Sequence, residues 1–127
     1  MSYGFSKLVH LPFEQAIEKV TEELKKEGFG VLTTIDVRET LKKKLDVDFK
    51  KYVILGACHP PFAFKALQAE EEIGLLLPCN VIVYENNGST TVAVFDPMVI
   101  TQLLDNEAVK PIAEEVRQRL ERVLAAM

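Results

Sequence analysis

The sequence predicts one α+β domain over residues 1–127: a mostly antiparallel sheet covered on one face by helices, in the order β-α-β-(α)-β-(α)-β-β-α. Three observations carry that prediction. Asn86-Asn87-Gly88-Ser89 separates two runs rich in β-forming residues, and an Asn-Gly pair accepts the positive φ angles of a tight hairpin. Phe13, Ala16, Ile17, Val20 and Leu24 recur at helical spacing, with charged residues between them. Val109, Ile112, Ala113, Val116, Leu120, Val123 and Leu124 form a second, longer stripe, which predicts a long C-terminal helix lying across the sheet.

The remaining elements follow in order. Tyr3 to His10 reads as a first strand, with Tyr3, Phe5 and Val9 on one face, Leu8 on the other, and Lys7 as the exception. Pro12 opens the first helix and Gly28 ends it. Phe29 to Val37 is the second strand. Asp36 caps a short helix over Glu39 to Leu45, in the spacing of a capping box, with Leu41 and Leu45 on one side. Tyr52 to Cys58 is nearly continuous in apolar residues and predicts a strand buried on both faces. Pro60-Pro61 starts a helix anchored inward by Phe64, Leu67 and Ala63. Glu70-Glu71-Glu72 closes it, where acidic charge opposes the helix dipole. Gly74 and Pro78 punctuate an apolar loop, Leu75-Leu76-Leu77. The hairpin pairs Asn80–Glu85 with Thr90–Phe95, and Asp96-Pro97 ends it. Met98 to Leu104 forms one or two helical turns. Asn106 caps the last helix, and Pro111 falls in its opening turn.

Composition excludes several classes. Hydrophobic residues make up 48% and charged residues 27%, the balance of a folded globular chain. The net charge is −4, so no basic footprint favours nucleic acid or an anionic membrane, and neither partner is expected. Lys42-Lys43-Lys44 and Lys50-Lys51 read as solvated faces among acidic neighbours. No apolar run approaches the ~20 residues that span a bilayer. Residues 1–7 lack the charged-then-apolar order of a signal peptide, so the expected compartment is the cytoplasm, where two cysteines are more often thiols than a disulfide. There is no phosphate loop, no Gly-x-Gly-x-x-Gly and no serine in a nucleophile elbow.

One constellation offers chemistry. Gly56-Ala57-Cys58-His59-Pro60-Pro61 and Leu77-Pro78-Cys79-Asn80 each sit where a strand meets a proline-marked break. If those ends meet, Cys58, His59, Cys79 and Asn80 become the candidate ligand-binding residues. The helix that starts at Pro60 would favour a thiolate at Cys58. Each thiol reads more plainly as a small core hydrophobe. A zinc site would need four donors, and Cys58, Cys79 and His59 supply three, with His10 the one remaining histidine. No metal and no cofactor is therefore assigned.

The segments Gly56-Ala57-Cys58, Pro60-Pro61, Ala66-Leu67, Gly74-Leu75-Leu76-Leu77-Pro78-Cys79-Asn80-Val81 and Asp96-Pro97 resemble the family "domain of unknown function 302" over nearly the whole chain. The resemblance implies a TATA-box-binding-protein-like arrangement of strand, helix, four strands and helix. It implies no established activity and, because fold alone does not carry function, no DNA binding. Asparagine is common in that family where this chain has His59, so the resemblance gives His59 no indispensable role.

The functional expectation is a homodimeric small-ligand-binding or interaction domain, whose cleft mouth is lined by the Cys58-His59 and Leu75–Cys79 segments. Leu75-Leu76-Leu77 and the hairpin are the expected dimer contacts, since three adjacent leucines in a loop are costly to leave in water. The alternative is a thiol-dependent redox or metal-binding protein using Cys58 and Cys79.

Overall fold

The structure, a computed structural model, describes residues 2–127; Met1, where the stretch read for a signal peptide begins, lies outside them. The elements run β1 Gly4–Val9, α1 Phe13–Lys26, β2 Gly30–Asp36, α2 Val37–Leu45, β3 Tyr52–Cys58, α3 Pro60–Ala69, a 3-10 helix Glu71–Leu76, β4 Cys79–Asn86, β5 Ser89–Phe95, α4 Met98–Leu103 and α5 Lys110–Ala125. The five strands form one sheet in the order β1-β5-β4-β3-β2, and every neighbouring pair is antiparallel. The hairpin turns through Asn87 and Gly88, both at positive φ (49° and 83°), as the Asn-Gly signal requires.

The main core lies between one face of the sheet and helices α1 and α5. Val53, Leu55, Val81, Val83, Val92 and Val94 project from the central strands onto Ala16, Val20 and Leu24 of α1 and Leu120 and Val123 of α5. Alternation along each strand sorts these residues to the helix side. A second, smaller cluster gathers Ala66, Ile73, Ile100 and Val109 from α3, the 3-10 helix, α4 and the approach to α5. Helix α5 therefore serves both clusters, its C-terminal half on the sheet and its N-terminal end on the second group.

Several expectations are corrected. Tyr3 precedes β1 and is exposed. Strand β3 is fully buried on the helix side, while on the opposite face only Gly56 is buried: Tyr52 and Ile54 stay half-covered, because no long helix packs there. Phe64 points outward from α3; Phe62, Ala63 and Ala66 face inward, and Leu67, though partly exposed, also borders the space beneath the helix. Glu71 and Glu72 open the 3-10 helix instead of closing α3, so their charge lies at the favourable end. Leu76 and Leu77 are half-buried against the second cluster, and Leu75 alone of the three is exposed. Asp36 does cap α2, accepting from the Glu39 backbone N–H at 3.0 Å. Pro111 falls in the first turn of α5. Asn106 accepts from the Ala108 N–H in the turn before α5, and its amide donates to the Ala69 carbonyl at 2.8 Å, tying that turn to the end of α3.

Candidate functional site

The two clusters do not close on each other. Between them, at the end of the sheet where β3 finishes and β4 begins, lies a cavity of about 380 Å³. Its walls come from both sides: Ala57, Cys79 and Val116 from the main core, and Ala66, Ile73, Ile100 and Val109 from the second cluster. Leu32, Thr33, Cys58, His59, Phe62, Leu67, Leu77 and Pro78 are among the others that line it, and no Asp, Glu, Lys or Arg is present. Protein interiors hold few voids larger than a water molecule, so a space of this size makes these walls the candidate site.

Local backbone features place each polar side chain. Cys58 ends β3, and His59 is the extended residue that precedes α3 (φ −103°, ψ 99°), so the chain turns there and both side chains line the same space. Ala57 pairs with Cys79 across the β3–β4 ladder, which sets the two cysteines at neighbouring levels. A bulge in β2 between Val31 and Thr33 breaks the alternation and delivers Leu32 and Thr33 to the cavity. Asn80 takes a different place. It is exposed, and it borders a shallow depression with Leu75, Pro78 and Phe95 instead of the cavity.

His59 is held by packing. Its ring meets Phe29 edge-on at 5.3 Å and lies 4.4 Å from the Phe62 ring. Gly28 backs it: a Cβ at position 28 would fall 2.7 Å from His59 Nε2, and φ is +88° there, so only glycine suits both demands. Nδ1 is enclosed without a hydrogen-bond partner. Burial, with the Arg119 charge adding to it, pushes the His59 pKa down, so the imidazole is neutral at pH 7. Arg119 itself is engaged, donating to the Glu27 carbonyl at 3.0 Å and pairing with Glu115 at 3.1 Å.

Both cysteines are free thiols. Burial pushes the Cys58 thiol up from its ordinary value, opposite in direction to the expected thiolate. Cys79 is pushed up to about 11 by burial, with Cys58 adding to the shift. Neither is a ready nucleophile near neutral pH. Among the described residues no three His, Cys, Asp or Glu side chains gather where an ion could sit, so the redox and metal alternative is not favoured.

The Cys79 shift has a consequence for stability. Its folded pKa of about 11 exceeds the ordinary 9.0, so above pH 9 the unfolded chain gives up a proton that the folded chain keeps. Stability is expected to fall between about pH 9 and 11, more steeply than in Cys79→Ala. Denaturant melts of both proteins at pH 8, 9.5 and 11 check this; parallel slopes would contradict it.

Sequence reading missed most of the walls. Ala113 and Val116 carried a visible apolar stripe, but the stripe does not say that its first half faces a void. The β2 bulge left no pattern to read.

Residues 5–127 match the family model described as domain of unknown function DUF302. The crystal structure of an uncharacterized conserved protein DUF302 from Bacillus stearothermophilus is similar, with 33% identity, 98% of each chain covered and a TM-score of 0.91. No curated protein matches.

Proposed function

The chain belongs to the DUF302 family, and from that premise we propose that it is a binding protein for an uncharged, largely apolar small molecule held in the cavity at the sheet end. The observation that carries this reading is the cavity itself: about 380 Å³, with the exposed Leu32 and Leu67 among its lining, and free of charged side chains. Ligand sites are typically ~300–1,000 Å³, mostly apolar, with a few convergent polar groups. Cys58, His59 and Cys79 supply such groups here, and Asn80 does not reach them. A cytoplasmic setting, consistent with free thiols, is part of the same proposal.

Nile red, a neutral dye that brightens in apolar sites, tests it. The wild type is expected to bind the dye and to melt at a higher temperature in its presence. Ala66→Leu adds bulk to the wall and is expected to weaken binding by about tenfold while the protein stays folded. No dye binding, or identical binding by the variant, would overturn the reading.

A second reading, homodimer formation, is supported by the other face of the sheet. The register sets Leu8, Thr91, Tyr84 and Tyr52 in one row and Ser6, Ala93, Ile82, Ile54 and Ile35 in the next. None of these residues is charged, Leu8 and Ile35 are exposed, and Tyr52 stacks on Tyr84 at 5.5 Å. Lys50 lies over the Tyr84 ring at the edge of this face, and the largely apolar remainder suits a second copy of itself. It takes the place of Leu75-Leu76-Leu77 as the proposed contact. Light scattering at micromolar concentration should report a dimer, and Ile54→Lys should convert it to a monomer. A monomeric wild type would end this reading. The element order strand, helix, four strands, helix, once α2, α3, the 3-10 helix and α4 are set aside, supports a TATA-box-binding-protein-like arrangement. The net charge of −4 gives that likeness no nucleic-acid meaning.

A further inference from the structure

Helix α3 covers the cavity instead of a packed core. Phe62, Ala63, Ala66 and Leu67 border the space beneath it, and Ala66 is its one buried residue. Its two ends are held by different chemistry. At the far end the Asn106 amide donates to the Ala69 carbonyl at 2.8 Å and to Glu70 Oε1 at 3.1 Å. At the near end no side chain caps the helix, and Pro60 and Pro61 bring no backbone N–H. Packing of the His59 ring against Phe29 and Phe62 holds that end. We propose that α3 is a proton-controlled gate: it stays closed over the cavity while His59 is neutral, and its first turn lifts to release an apolar ligand when acid charges the ring. The inference rests on the cavity reading above and adds its regulation.

Three features make the closed latch intolerant of charge. An imidazolium carries two N–H donors, and Nδ1 is enclosed without an acceptor. The aromatic ring that could steady a cation is already shared: Arg119 lies over Phe62 at 5.5 Å and Lys65 at 5.8 Å. The carboxylates on the neighbouring elements are engaged elsewhere, Glu115 with Arg119 and Glu27 with Arg122. Cys58, next to His59 on β3, stays protonated. Burial, and after it the Arg119 charge, lowers the His59 pKa against the opposing pull of its own backbone and of Glu115. The closed ring therefore takes up a proton at lower pH than a freed ring does. Acid favours the open form from about pH 6.5, the ordinary histidine value, downward; above that both forms are neutral and the gate has no bias.

Stopped-flow release of bound Nile red into excess β-cyclodextrin, at pH 8.0, 6.5 and 5.5, tests the gate. The wild-type rate is expected to rise at least about threefold from pH 8.0 to 5.5. His59→Phe keeps an aromatic ring, every carboxylate and His10, and should give a flat profile. Amide hydrogen exchange of the unliganded wild type, corrected for intrinsic rates, reads the same motion without dye or substitution: residues 63–69 should lose protection at pH 5.5 while α1 keeps it. A flat wild-type profile, an equal pH dependence in His59→Phe, or α3 protection unchanged between pH 8.0 and 5.5 would overturn the gate while leaving the cavity reading intact. Failure of Nile red to bind at pH 8.0 would remove the cavity reading, and the gate, with nothing to release, would fall with it.

Discussion

Replacing Leu120 by alanine is expected to remove about 3 kcal/mol of folding stability and to lower the melting temperature by roughly 10 °C. Leu120 is fully buried at the point where α5 lies against the sheet, in the same cluster as Val20, Leu24 and Val83. Truncation loses both the transfer of the side chain from water and the contacts of the groups around it, which cannot collapse against a rigid sheet. Leu75→Ala is the control. That side chain is 83% exposed, and its loss should change stability by less than about 0.5 kcal/mol. Leu120 does not line the cavity, so Leu120→Ala should still bind Nile red below its lowered melting temperature. Equal losses from the two leucines would mean that the core is not where α5 meets the sheet.

Gly56→Ala is expected to cost about 2–3 kcal/mol and, unlike Leu120→Ala, to disturb the site as well. Gly56 is buried in the middle of the sheet end, and its backbone angles suit any residue. The obstacle is space: an added Cβ would collide with Thr33 Oγ1 and fall 2.9 Å from Pro78 Cγ. Both neighbours line the cavity, so relief of the clash moves its wall. Thr33→Ala removes one of the two colliding groups. The double variant should recover part of the lost stability, a coupling that a double-mutant cycle measures directly. A stable Gly56→Ala that binds dye normally would show that the strand ends have slack.

The apolar stripes were legible because they are local and periodic. Residues 13–24 and 109–124 became α1 and α5, and the Asn-Gly pair became the β4–β5 turn. Where the reading failed, the signal was not periodic. In α3 Phe64 was taken as inward with Leu67 and Ala63; the latter two border the cavity, but Phe64 is exposed and Phe62 takes its place. A short, generally apolar helix has no polar face to mark its outside, so only what packs against it can decide. Strand β3 was read as doubly buried because its apolar run is continuous, but the sheet has long helices on one side alone. Asn80 shared a motif with Cys79, yet in a strand adjacent residues face opposite ways.

By itself the sequence determined the α+β class, the hairpin, the two principal helices and the family likeness, since each rests on local pattern or on motif. It also singled out Cys58, His59 and Cys79. That these three line one cavity was decided by tertiary structure: by the β3–β4 register, by the bulge that carries Thr33 inward, and by the gap left where α5 passes from one cluster to the other. The protonation of the site was decided there too. A thiol beside a helix start looks activated on paper, but exclusion of water from that pocket holds Cys58 and Cys79 protonated and His59 neutral, because a charge without solvent or a partner is the costlier state.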